Sequence, residues 1–204
     1  MARTATTRTS RTAKRTVRKP STAKRSSGGP DLLEFFTDQL KDIYWAEKHL
    51  VQKLPVLQRA ASSEVLKNAI EEHIAQTKDQ VARLEEVFSL LDKKPQAKKC
   101  DAMEGLTTEA KTVISETEAG TATRDVGIIM SAQKVEHYEI AAYGSLTQLA
   151  KTIGLDEVAD ILAQTLAEEK DTDVLLTQIA ESHINYEAAI ERSSEGEEER
   201  VENE

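Results

Sequence analysis

Apolar residues recur along this chain at three- and four-residue intervals in four long runs, the spacing of one face of an α-helix. The first run puts Leu32, Phe36, Leu40, Ile43, Leu50, Leu54 and Leu57 on one stripe, with Asp31 ahead of it as an N-cap. Pro55 falls inside this run, and its missing backbone donor predicts a kink or a break. Ser62 and Ser63 supply the next N-cap. The second run carries Leu66, Ile70, Ile74, Val81, Leu84 and Phe88 and ends near Leu91. The third spans about Thr123 to Lys151, presents Ala132, Val135, Tyr143, Leu146 and Ala150, and is stopped by Gly154. The fourth starts near Leu155 and reaches about Ile184, with Leu162, Leu166, Leu176 and Ala180 on its face.

Residues 92–123 break the pattern. A polar, basic loop from Lys93 to Lys99 precedes a weaker helix, Ala102 to about Glu118, ended by Gly120. Short turns therefore join the first run to the second and the third to the fourth, and one long crossover joins the two pairs. Short connections make antiparallel neighbours, and a single long crossover is the connectivity of the ferritin-like bundle. The predicted fold is all-α: a ferritin-like antiparallel four-helix bundle over residues 31–190, with a long crossover carrying a short helix.

Composition adds two ends of opposite charge. The net −9 of the 204 residues divides into +9 for residues 1–30, which contain no acid, and −18 for the remainder. Residues 1–30 have Val17 as their only large aliphatic residue after Met1 and end in Ser26-Ser27-Gly28-Gly29-Pro30. They are predicted to be a disordered basic tail. A flexible, acid-free segment of nine cations attracts DNA or RNA through phosphates, independently of sequence. It holds no aromatic residue to stack on bases. The same composition fits a tether to the acidic body, a solubilising tail or a transit peptide. Residues 191–204 are Glu-rich and predicted to be a disordered acidic end. No run of about 18 apolar residues exists, so no membrane span is expected. Cys100 is the only cysteine, which rules out an intrachain disulfide and fits a reducing, cytoplasmic setting.

Candidate chemistry comes from polar residues standing where these stripes call for Leu. At ~100° per residue, Glu47 falls near the centre of the first face and His73 within the second. Glu139 is central on the third face with Glu136 one turn earlier. Glu169 is central on the fourth with Asp173 one turn on. Asp42, Glu71, Glu72 and His137 point elsewhere, and Glu168 sits at an edge. Burying a charge costs several kcal/mol unless it is paired or bound to a metal. Carboxylates with an imidazole suit iron or manganese, and the pairs Glu136/Glu139 and Glu169/Asp173 each bring two ligands to one face. The competing reading is a helical scaffold whose buried acids pair with Lys or Arg, but the inner faces carry few basic residues. Tyr44, Tyr138 and Tyr143 are read as packing residues, with Tyr143 also placed as a redox neighbour.

The segments Asp38–Lys48, Glu71–His73, Lys99–Leu106, Gln133–Gly144 and Thr165–Lys170 resemble the YciF/YciE-like proteins, a bacterial, stress-associated, ferritin-like family. The resemblance covers about residues 31–183 and implies a homodimeric bundle with a di-metal centre. The wider ferritin-like pattern has Glu-x-x-His on two helices. Here Ile70 stands three before His73 and Thr172 three after Glu169, so that ligand set is incomplete, and Asp173 is the candidate replacement for the absent histidine. Iron oxidation or peroxide handling is the expected function. The alternative is a nucleic-acid-associated stress protein whose bundle dimerises and whose tail binds DNA.

Overall fold

A computed structural model describes residues 31–191, and the two predicted tails lie outside the described residues except for Glu191. Five α-helices and no strand occur among the described residues: α1 (Leu32–Ala60), α2 (Glu64–Leu90), α3 (Asp101–Glu116), α4 (Ala122–Thr152) and α5 (Asp156–Ile179). Beyond α5 a π-helical turn, Ala180–Ile184, leads into helical residues 185–191.

Local chemistry sets most of these boundaries. Asp31 and Glu34 form a reciprocal capping box at α1, Ser63 caps α2 and Thr121 caps α4. Cys100 takes the cap position of α3 through its sulfur. Gly154 closes the turn between α4 and α5 at φ +78°, a left-handed conformation that favours glycine. Pro55 does not break α1: the helix runs on to Ala60, with Leu54 and Leu57 buried on either side of the proline. One missing donor costs less than withdrawing those two side chains from the core.

Hydrogen bonds between helices give the directions. Tyr44 pairs with Glu85 and Gln58 with Glu71, so α1 and α2 are antiparallel. Arg83 meets Thr165 and Thr172 meets Gln76, so α2 and α5 are antiparallel. The crossover returns along α1 from one end to the other. Lys98 N–H donates to the Lys41 carbonyl at 3.0 Å, His49 meets Thr107 at 2.9 Å midway, and Ser62 meets Asp125 at the far end. α4 therefore starts where α1 finishes and runs against it. α1, α2, α4 and α5 enclose one core, and α3 packs on the outside against α4 and α1.

Asp125 ties the far end together. It is buried, and its two carboxylate oxygens accept the Ser62 and Ser63 backbone N–H groups at 2.7 and 2.8 Å, joining the N-terminus of α2 to α4. Asp125→Ala strands both donors and should lower unfolding stability by about 2–4 kcal/mol. Urea unfolding of the two proteins checks this. A loss within the error of zero would show that the contact contributes nothing.

At the same end, Glu191 accepts the Ala122 and Thr123 N–H groups at 2.8 and 3.2 Å. The predicted acidic end thus begins on a helical residue bonded to the start of α4.

Candidate metal centre

Each of the four long helices delivers acid or imidazole to the middle of the core. Glu47 comes from α1, His73 from α2, Glu136 and Glu139 from α4 and Glu169 from α5, and none is more than 6 % exposed. Ligand atoms of His73, Glu136, Glu139 and Glu169 all lie within 4.8 Å of one another. His73 Nε2 stands 3.3 Å from Glu136 Oε1. Glu47 adjoins this group: burial and then the charge of Glu47 push the Glu139 carboxyl up.

Two of the carboxylates are held by neutral donors. Tyr143 donates its hydroxyl to Glu47, and Gln80 donates its side-chain amide to Glu169. These leave Glu47 Oε2, Glu136 Oε2, Glu169 Oε2 and both oxygens of Glu139 buried without a hydrogen-bond partner, as are both ring nitrogens of His73. So many orphaned polar atoms converging on one point are a large cost for a structural core, where buried polar groups are normally paired.

No Lys or Arg within the described residues pairs with these atoms. The nearest guanidinium, Arg83, makes two 2.6 Å contacts with Glu168 at the edge of the core and one of 3.0 Å with Thr165. The scaffold reading, in which Lys or Arg neutralises the inner acids, therefore finds no inner ion pair among the described residues.

Burial first, and then the mutual repulsion of the carboxylates, push the Glu136 and Glu139 carboxyls well above the usual range. Burial and the charge of Glu169 raise Glu47, while burial raises Glu169 against the opposing hydrogen bond from Gln80. Burial lowers His73 to about 4, so its ring is neutral at pH 7 and one nitrogen lone pair is available. The Tyr143 hydroxyl is driven well up by burial and by Glu47 and stays a donor. Neutral imidazole, several carboxylate oxygens and no thiolate make a donor set for iron or manganese, and a divalent ion would remove the repulsion that raises these carboxyls.

The sequence-derived residues thus divide. Glu47, His73, Glu136, Glu139 and Glu169 come together. Asp173 does not join the four-atom group: it accepts from Gln133 at 3.2 Å and lies 3.4 Å from His137. Glu71, Glu72 and His137 are exposed, and Asp42 accepts from Tyr138 at 2.8 Å. Gln80 is the residue that hydropathy misses. The apolar stripe draws the α2 face through Val81, which is half-buried, while Gln80 is 1 % exposed. Continuing the His73 stripe in steps of four, three and four gives Thr77, Gln80 and Leu84, all buried, and that is the signal that finds it.

An all-helical protein with a buried histidine–carboxylate cluster able to hold a metal ion is the class that fold and site define. A family model described as "Domain of unknown function (DUF892)" matches residues 31–189, and the chain belongs to that family. It is similar to the protein YciF of Escherichia coli (strain K12), 44 % identical over 156 residues, covering 76 % of this chain and 93 % of that one. The crystal structure of the E. coli stress protein YciF matches with a TM-score of 0.72 at 43 % identity, covering 76 % of this chain and 97 % of that one. The structure of YcfI from Rhodopseudomonas palustris matches with the same TM-score at 33 % identity, covering 76 % and 98 %. The family is thus the one that the five quoted segments resemble. No helix among the described residues is long and apolar enough to cross a membrane.

Proposed function

We propose that this protein is a ferritin-like stress protein whose four-helix bundle would hold a pair of iron or manganese ions on its buried carboxylates and His73. The observation that carries this is the convergence of His73, Glu136, Glu139 and Glu169 within 4.8 Å, deep in the core and without a balancing cation among the described residues. The crossover that returns along the length of α1 and the antiparallel pairs on either side of it support the ferritin-like connectivity. Four carboxylates, with Glu47 as the fourth, balance the charge of two divalent ions.

When bound, such a pair supplies Lewis acidity and one-electron steps suited to Fe(II) oxidation or peroxide handling. The chain's own residues prepare the place. His73 of α2, Glu136 and Glu139 of α4 and Glu169 of α5 bring ligand atoms within 4.8 Å of one another, and Tyr143 and Gln80 fix the orientation of Glu47 and Glu169 through hydrogen bonds. The stress role is carried over from the E. coli relative, a stress protein.

Adding Fe(II) to metal-free protein in air should give ultraviolet absorbance from Fe(III) faster than the same iron alone. Glu139→Gln should slow this at least ~10-fold, since even groups that only support metal ligands cost about 10–100-fold when mutated. Equal rates for wild type and variant would refute the iron-oxidation reading.

A further inference from the structure

Four-helix di-metal proteins place a Glu three residues before the metal-binding His on one helix and a His three residues after the Glu on another. Here those positions hold Ile70 on α2 and Thr172 on α5, and both line one cavity of about 270 Å³. The exposed Glu72 and Asp171 stand at its outer end between α2 and α5. Its inner end reaches Leu54 and Leu57 of α1, and His73 and Glu136 form part of its wall. His73 is 6 % exposed and has no hydrogen-bond partner on either ring nitrogen. At these two positions the wider pattern's ligands are thus replaced by room.

We propose that this cavity is a binding pocket for a small neutral molecule with an apolar body and one polar end, seated with the polar end at His73 and Glu136. The proposal rests on the metal-centre reading for the role of that inner end. Size admits such a guest, since an apolar cavity of ~150 Å³ holds benzene. The wall chemistry selects against others. Anions meet Glu72, Glu136 and Asp171 and no Lys or Arg, because no basic side chain lines the cavity among the described residues. A hydrated metal cation is drawn to the acids of this wall, but Leu54, Leu57, Ile70 and Leu176 offer no ligand to replace the water it would lose on entering. A peptide or nucleic acid exceeds the volume.

Calorimetric titration of manganese-loaded protein with 2-phenyl-2-propanol, and with benzoate as the anionic control, tests this. The alcohol should bind once per chain with a Kd of about 1 mM or tighter, as expected for a small apolar ligand, and benzoate at least tenfold more weakly. Ala69→Phe and Thr172→Leu, two independent ways of filling the cavity, should each weaken the alcohol at least tenfold with manganese content unchanged. Fully loaded wild type that fails to bind the alcohol would overturn the pocket, as would folded variants that both bind it like wild type. If the protein takes up no manganese, the metal reading falls instead, and the alcohol titration of metal-free protein still reports on the cavity.

Discussion

Glu139→Gln should make the metal-free protein more stable and abolish its stabilisation by metal. Both Glu139 oxygens are buried, neither has a hydrogen-bond partner, and Glu47, Glu136 and Glu169 press on it with like charge. Removing that ionisable group removes a burden that nothing among the described residues offsets, and neutralising buried charges of this kind gains about 1–4 kcal/mol. The wild type should recover the whole of that difference when manganese is added in large excess, because a ligand at ~1,000 times its Kd contributes about 4.1 kcal/mol. Thermal melts of both proteins in chelator and in excess Mn²⁺ give all four values. The variant should melt higher in chelator, and wild type should shift upward much further in metal. A variant that is less stable without metal, or that responds to manganese as wild type does, would show that Glu139 is an ordinary core residue. Such a site is a case of stability given up locally for function.

The metal-free protein should also lose stability as pH rises above neutrality, and bound metal should cancel that loss. Carboxyls raised in the fold keep protons that the unfolded chain has released, so their contribution is complete below the unfolded value of 4.5 and disappears as pH rises. His73 acts in the opposite sense. Lowered from 6.5 to about 4, it favours the fold above 6.5 and loses that contribution as pH falls toward 4. The two effects oppose each other between those values. Above pH 6.5 the carboxyls act alone.

Each carboxyl still protonated in the fold costs about 1.4 kcal/mol per pH unit. With Glu47 raised to about 8 by burial and by the charge of Glu169, the metal-free melting temperature should fall by about 3 °C or more between pH 6.5 and 8. Metal binding must displace those protons, so titration with Mn²⁺ in two buffers of different ionisation enthalpy should show proton release. A flat melting temperature in chelator over this range, with no buffer dependence of the binding heat, would contradict this electrostatic picture.

The helices, their caps and the long crossover are legible in the sequence because each rests on local chemistry. Asp31, Ser63 and Gly154 act within a few residues of themselves, and a 3.6-residue period survives without knowledge of partners. The inward placement of Glu47, Glu139 and Glu169 is legible for the same reason, since each is the odd residue in an otherwise apolar stripe. What the sequence obscures depends on tertiary neighbours. Pro55 reads as a break until the burial of Leu54 and Leu57 shows what a break would forfeit. Gln80 loses to Val81 because hydropathy favours Val, and only the neighbouring Glu169 explains an amide in the core. Asp173 lies one helical turn from Glu169, as its spacing requires, yet Gln133 and His137 of α4 engage it. Arg83 gives no local sign that it holds Glu168 and leaves the inner carboxylates unneutralised.

Anomalous diffraction from crystals of the iron-loaded protein, collected on either side of the iron edge, is the decisive test of the metal centre. Iron peaks are expected in the core between α1, α2, α4 and α5, at bonding distance from carboxylate oxygens of Glu139 and Glu169 and from a ring nitrogen of His73. Iron found only at surface acids such as Glu72 and Asp171, with no peak among the five buried residues, would contradict it.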